Sequence, residues 1–202
     1  MAAKPASIVA RDLSSRARGL LLHVGRLEAA YNAGHLGVHD VERAHGGALL
    51  YFFAYAEHSI GRLFFGLLVG QLTARSARPT ISVRSYAVAA KIVAGGRPHV
   101  AWLPYQRTLE RADRYFVGGR PFSSLTEPEK DSLHRLTVTR NALAHESGPA
   151  RTKFYASCVA GRGIAPSQAR AVAYLRGHHS ASQTRLDFMM SDVVALLHRL
   201  CA

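Results

Sequence analysis

A long apolar helix in the first half of the chain is the feature that most constrains the fold. The spacing of apolar residues predicts this helix over roughly Asp40 to Thr73, with apolar residues on nearly all of its sides. Such a helix is removed from water only when other elements surround it. We therefore expect it to be the buried central helix of the domain.

Further helical patterns lie on both sides of this segment. The first runs from Ser7 to about Tyr31, and the last from about Ser182 to Leu200. Helices are also predicted near 84–94, from about 99 to 116, over 127–146, over 151–159 and after Pro166. No alternating strand pattern exceeds four residues. The expected architecture is one all-α domain over residues 1–202, a helical bundle with extra short helices and a core at about 40–200.

The apolar stretch from Leu49 to Val69 raises the question of a membrane span. Glu57, His58 and Arg62 lie in its middle, and charged groups are costly inside a bilayer. A buried core helix is therefore favoured, and a membrane-associated helical protein is the weakest of the functional alternatives. We expect no membrane partner.

The chain is strongly basic, because 26 Lys and Arg residues against 13 Asp and Glu residues leave a net charge of +13. Such a surplus favours polyanionic partners such as RNA, DNA or an anionic membrane face. Aromatic residues and arginines alternate in one region, a mixture that suits stacking of RNA bases. They are Trp102, Tyr105, Arg107, Arg111, Arg114, Tyr115 and Phe116. Aromatic core packing beside a solvated basic face is the favoured alternative for this region.

Cysteine content and the N-terminus bear on the compartment. Cys158 and Cys201 are too few for a disulfide scaffold or a cysteine-based zinc site, which fits a reduced environment. The first residues carry no apolar secretory segment. The expected location is cytoplasmic.

The helix predicted over 127–146 carries an arginine where it should be apolar. Its apolar seam, at spacings of three, four and three, consists of Leu133, Leu136, Arg140 and Leu143. Burying a guanidinium is costly unless the group is paired or used. Asn141 and His145 are four residues apart, on a second face at the edge of this seam. An arginine, an amide and an imidazole therefore converge on one side of one helix.

The apolar seam of the central helix is also interrupted by a charged residue, here an acid instead of an arginine. Its apolar seam runs through Leu50, Phe53, Glu57, Ile60, Phe64 and Leu67. One acid and one arginine, each alone in an apolar seam, predict that Glu57 pairs with Arg140. Two interpretations stay open: a buried ion pair that only fixes the helix register, or a carboxylate that positions the arginine at the floor of a cleft.

These residues together resemble a known family. The run from Arg140 to His145 near the end of a helix, the upstream segment Ala54-Tyr55-Ala56-Glu57-His58 and the stretch Tyr115-Phe116-Val117-Gly118 resemble the HEPN superfamily of small α-helical proteins. The resemblance implies a metal-independent endoribonuclease, often a toxin or effector of prokaryotic conflict systems. It implies Arg140 and His145 as the catalytic pair, Asn141 as their support and Glu57 as a positioning acid.

The resemblance also implies a homodimer whose two motifs face one cleft, and an antitoxin or other regulator as a further partner. RNA suits the residue types because it carries its own nucleophile, the 2′-OH. Histidine can take or give the proton, and the arginine fork matches phosphate oxygens. The expected products are a 2′,3′-cyclic phosphate and a 5′-OH. The alternative is a catalytically inactive HEPN-type interaction module that binds a partner protein or RNA. Inactive members usually lose the arginine or the histidine, and both are present here.

Neither a metal nor a cofactor is expected. His35 and His39 have the spacing of metal ligands on a helix, but Gly34 and Gly37 place them in a loop. The chain also contains no glycine-rich dinucleotide or Walker pattern.

Overall fold

The structure is a computed structural model that describes residues 3–145 and 147–202. These residues form eight α-helices and only very short strands, which confirms the all-α prediction. The helices are α1 (Ser7–Asn32), α2 (Val38–Leu68), α3 (Tyr86–Ala94), α4 (Gln106–Tyr115), α5 (Glu127–Ala144), α6 (Gly148–Phe154), α7 (Ala171–Arg176) and α8 (Arg185–Leu200). None of the helices described is long and apolar enough to cross a bilayer.

The strands form two small pairs. The parallel pair joins β1 (Lys4–Pro5) to β2 (Leu72–Thr73), and the antiparallel pair joins β3 (His178–Ser180) to β4 (Gln183–Thr184). A turn of π-helix at Tyr155–Val159 follows α6 directly.

Most predicted helices are present, but several begin or end at residues other than those predicted. The helix α2 ends at Leu68, before the predicted Thr73, because Gly70 turns the chain with a φ of 71° and the following residues pair with β1. The helix expected from residue 99 begins only at Gln106, since Pro104 restricts the residue before it to extended backbone. The motif helix ends at Ala144; Glu146, its expected last residue, lies outside the described residues.

The start of α5 contains a capping pair, Thr126 and Glu129. Oε2 of Glu129 accepts hydrogen bonds from the backbone N–H and from the hydroxyl of Thr126, both at 2.7 Å. Its other carboxylate oxygen pairs with Arg199 of α8. A local signal in the sequence therefore fixes where the motif helix begins.

Contacts divide the described chain into two compact units. Unit 1 comprises the described residues of Met1–Ser14, Tyr55–Leu133 and Val194–Ala202, and unit 2 those of Ser15–Ala54 and His134–Val193. The four long helices α1, α2, α5 and α8 each contribute residues to both units. A single domain over residues 1–202 stays a prediction.

An aromatic cluster around Phe64 forms the core of unit 1. The ring centroid of Phe64 lies 4.8 Å from that of Trp102, 5.0 Å from Phe116 and 5.3 Å from Phe122. Tyr105 is buried as well, and its hydroxyl donates to the carbonyl oxygen of Phe122 at 2.8 Å. Trp102, Tyr105 and Phe116 are therefore core residues, as favoured from the sequence, and their burial leaves these three rings no face for stacking of RNA bases; Tyr115 is half-buried.

Unit 2 has its own core. Buried side chains of α5, α7 and α8 include Leu136, Leu175 and Met190. Phe154, at the end of α6, packs edge-on against Tyr174 with ring centroids 5.4 Å apart. This packing holds the C-terminal part of α5 and the short helices that follow it.

Candidate active site

The motif occupies the C-terminal end of α5, in unit 2. Arg140 and Asn141 are half-buried, whereas His145 is exposed and follows the last helical residue, Ala144. The backbone N–H of His145 still donates to the carbonyl oxygen of Asn141 at 3.0 Å. The helical spacing therefore extends to His145, while its side chain is open to solvent.

Arg140 is anchored on two sides. Its Nη1 donates to Oδ1 of Asn141 at 3.0 Å, and its guanidinium carbon lies 5.3 Å from the centre of the Phe53 ring. Phe53 itself is only 8% exposed. A cation over an aromatic face and a hydrogen bond to an amide together restrict the orientation of the guanidinium plane.

The apolar seams of the two helices are only partly buried. Leu133 and Leu136 are buried, but Arg140 and Leu143 are half-exposed. In α2, Phe53, Ile60, Phe64 and Leu67 are buried, whereas Leu50 is 37% exposed and Glu57 is half-buried. The two charged residues therefore interrupt their seams near water, which lowers the cost of placing a charge there.

Glu57 lies on α2 in unit 1 and binds backbone groups there. Its Oε1 accepts hydrogen bonds from the N–H of Trp102 at 2.9 Å and of Leu103 at 3.2 Å. The carboxylate thereby fixes the segment that leads into α4. Glu57 and Arg140 belong to different units, and their pairing stays a prediction.

A cleft of about 630 Å³ opens beside the motif. Ala142 and Leu143 form part of its wall, and its polar lining residues are Arg151, Thr152, Tyr155 and Arg170. Arg140, Asn141 and His145 lie next to these wall residues in the chain but do not line the cleft. Tyr155 is 52% exposed, and both arginines are exposed. The cleft thus combines an apolar wall, an exposed aromatic ring and positive charge.

The charge of Arg170 is partly balanced. Its Nη2 lies 3.2 and 3.3 Å from the two carboxylate oxygens of Glu42, a residue that is itself buried. His39 is 3.7 Å from the same carboxylate. In residues 3–145 and 147–202, no group of three or more His, Cys, Asp or Glu side chains is placed to hold a metal ion.

The packing beside this cleft depends on Gly46 of α2. A Cβ atom at this position would lie 3.2 Å from Cγ1 of Val172 and 3.5 Å from Cδ2 of Leu143, two residues that line the cleft. Glycine therefore lets the motif helix and α7 approach α2 closely. The pair Gly46-Gly47 inside an apolar helical pattern is a signal for such an approach that can be read from the sequence.

His45, the neighbour of Gly46, is fully buried. Its Nδ1 lies 2.9 Å from the carbonyl oxygen of Val41, and its Nε2 is 3.6 Å from a carboxylate oxygen of Glu28 without a hydrogen bond. Glu28 is held by Arg176 at 2.8 Å. Burial lowers the pKa of His45, so this histidine is a neutral core residue and cannot reach a substrate.

Comparisons with models of known protein families, with curated proteins and with solved structures find no match to this chain. Sequence reasoning selected Arg140, Asn141 and His145, which lie together at the end of α5. It missed Arg151, Tyr155 and Arg170 because they come from separate elements that only folding brings around one cleft.

Proposed function

We propose that this protein is a metal-independent endoribonuclease of the HEPN type. The proposal rests on the arrangement of side chains at the end of α5. Asn141 and Phe53 hold Arg140 there, and an exposed His145 follows about one helical turn later. Two residues between them line a cleft with positive charge. A fixed guanidinium, a free imidazole and room for a polyanion are the groups that cleavage of RNA by its own 2′-OH requires.

In this proposal His145 is the general base. It takes the proton of the 2′-OH, the 2′ oxygen forms a bond to phosphorus, and the bond from phosphorus to the 5′ oxygen breaks. The leaving oxygen takes a proton from water. Arg140 binds the non-bridging phosphate oxygens, whose negative charge increases in the transition state. The products are a 2′,3′-cyclic phosphate and a 5′-OH.

The cleft supplies groups for the nucleotides around the scissile bond. Arg151 and Arg170 can bind flanking phosphates, and the exposed ring of Tyr155 offers a face for a base. The ion pair with Glu42 reduces the charge of Arg170, so Arg151 is the stronger phosphate ligand in this proposal.

The resemblance to HEPN proteins supports the wider setting of the proposal. It favours a homodimer in which two motifs face one cleft, a role as a toxin or defence effector, control by an antitoxin or other regulator, and a cytoplasmic location. The net charge of +13 supports RNA as a partner, because phosphate neutralisation dominates non-specific affinity.

Incubation of the purified protein with end-labelled RNA, with and without EDTA, tests the proposal. Cleavage is expected in both samples, with a 2′,3′-cyclic phosphate on the new 3′ end by mass spectrometry. An RNA with a single 2′-deoxy residue at the mapped cleavage position should stay intact there. Activity that disappears with the chelator would overturn the assignment.

A second candidate is an interaction module of the same type that binds RNA or a partner protein without cutting. It is favoured by the structural contacts of the two charged residues: Arg140 lies on Phe53, and Glu57 binds the backbone of Trp102 and Leu103. Such a protein would leave the labelled RNA intact, and His145→Ala would change nothing that can be measured.

A further inference from the structure

Positive charge is concentrated in one segment of unit 1. Residues 74–120 contain nine Lys and Arg residues against two Asp and Glu residues, so this segment carries +7 of the net +13. The basic residues are Arg75, Arg78, Arg84, Lys91, Arg97, Arg107, Arg111, Arg114 and Arg120. In residues 3–145 and 147–202, none of these nine side chains forms an ion pair, whereas Arg62 and Arg199 of the same unit do.

Three of these arginines share one face of α4. Arg107, Arg111 and Arg114 follow one another at spacings of four and three residues, which makes them neighbours on a helix surface. Arg97, from the loop before α4, is close enough to repel Arg111 as well. Burial and these three positive neighbours lower the pKa of Arg111, against the opposite effect of Glu110. Arg111 thus lies near three other guanidinium groups and one carboxylate, and a polyanion would relieve the net repulsion.

Arg111, at the centre of the group, is held in a fixed position. Its guanidinium carbon lies 5.2 Å from the centre of the Trp102 ring. Its Nη1 donates to the carbonyl oxygens of Ala101 at 2.6 Å and of Arg107 at 3.2 Å. A side chain ordered in advance loses less conformational entropy when it binds a ligand.

The outer face of α4 suits nucleic acid better than lipid. Its exposed residues are Gln106, Arg107, Glu110, Asp113 and Arg114, all polar, while Thr108 and Ala112 are buried. A helix that lies on a membrane needs a broad apolar face toward the acyl chains, and α4 turns its apolar residues inward. We propose that Arg97, Arg107, Arg111 and Arg114 of unit 1 form a binding surface for the phosphodiester backbone of single-stranded RNA; the choice of RNA rather than DNA rests on the proposed function.

Binding measurements on the full chain test this surface without any need for cleavage. The probe is a fluorescein-labelled 12-mer of uridine with 2′-O-methyl groups, which cannot be cut by 2′-OH attack. The variant Arg107→Glu/Arg114→Glu reverses two exposed charges on α4. The control Arg18→Glu/Arg26→Glu reverses two exposed arginines of α1 in unit 2 and changes the net charge equally. Melting curves establish that both variants are folded.

The α4 variant should bind RNA at least about tenfold more weakly than the natural protein in 50 mM salt. The slope of log K against log salt concentration should decrease in magnitude by about 1.4, because two phosphate contacts are lost. The control should change the dissociation constant less than about threefold. If both variants weaken RNA binding equally, the effect depends only on the net charge of the protein, and the proposal is overturned. The same holds if the α4 variant binds RNA normally but no longer binds vesicles that contain phosphatidylserine. Failure of RNA cleavage would not affect this result.

Discussion

At the end of the motif helix, Nη1 of Arg140 donates a hydrogen bond to Oδ1 of the adjacent residue Asn141, 3.0 Å away. Phe53 lies under the same guanidinium at 5.3 Å. The amide and the ring leave the other N–H groups of the arginine free to meet a phosphate. In the proposed reaction we therefore expect Asn141 to position Arg140 rather than to donate or accept a proton.

His145→Ala should abolish RNA cleavage, because it removes the proposed general base. RNA affinity and the melting temperature should stay nearly unchanged, since the His145 side chain is exposed. Cleavage of labelled RNA and binding of an uncleavable analogue are measured side by side. His23→Ala, at an exposed position of α1, is the matched control and should cleave normally. Full activity in His145→Ala would show that the site has been misread.

Arg140→Ala should also abolish cleavage, but at a cost in stability of about 1 kcal/mol, because it removes a cation–π contact and a hydrogen bond. Urea unfolding measures this cost. Arg140→Lys keeps the charge and part of the contact with Phe53 but loses the planar fork. It should recover most of the stability and little of the activity. Equal activity of Arg140→Lys and the natural protein would exclude a role for the fork.

Glu57→Ala should lower the free energy of unfolding by roughly 1–3 kcal/mol, because the N–H groups of Trp102 and Leu103 lose their acceptor. Urea unfolding is again the measurement. Glu57→Gln keeps one carbonyl oxygen as an acceptor, so its free energy of unfolding should fall clearly less than that of Glu57→Ala. If Glu57 in addition positions Arg140, the cleavage rate of the Gln variant should fall more than its stability explains. Normal cleavage by a stable Glu57→Gln would restrict this residue to the structural role.

His45 should make stability depend on pH in the acidic range. Burial lowers the pKa of the folded form below the ordinary value, whereas the unfolded chain takes up a proton near pH 6.5. The stabilising effect of the neutral imidazole is therefore complete above about pH 6.5 and decreases as the pH falls toward the folded pKa. In urea unfolding between pH 5 and 8, His45→Leu should flatten this dependence. His58→Gln, at an exposed position, should leave it in place; equal slopes for all three proteins would contradict the prediction.

The protein should form a homodimer, with twice the chain mass of 22.0 kDa in light scattering at micromolar concentration. The apolar side chains of Leu50 and Tyr51 on α2 are 37% and 65% exposed, and a two-fold interface would cover such residues. Leu50→Glu/Tyr51→Glu should give a monomer, while Leu22→Glu, at an exposed position of α1, should leave the dimer intact. A monomeric natural protein would contradict the dimer.

The sequence by itself determined the helical class, most helix ends and the place of the motif. These features depend on contacts within a few residues: the apolar period of α1 and α2, the Thr126–Glu129 cap, and the four-residue spacing of Asn141 and His145. The late start of α4 was not predicted, because the apolar periodicity continues through residues 99–105. Pro104 and the hydrogen bonds to Glu57 keep this segment out of the helix.

Only the tertiary structure decided which distant groups meet. The bonds from Trp102 and Leu103 to Glu57 join residues 45 and 46 positions apart, and that from Arg170 to Glu42 joins residues 128 apart. A chain with 26 basic and 13 acidic side chains offers many possible ion pairs, and the local sequence does not favour one over another. The choice among them depends on how the helices pack, because a hydrogen bond needs its two atoms within about 3 Å, and no periodicity specifies such a distance between separate helices.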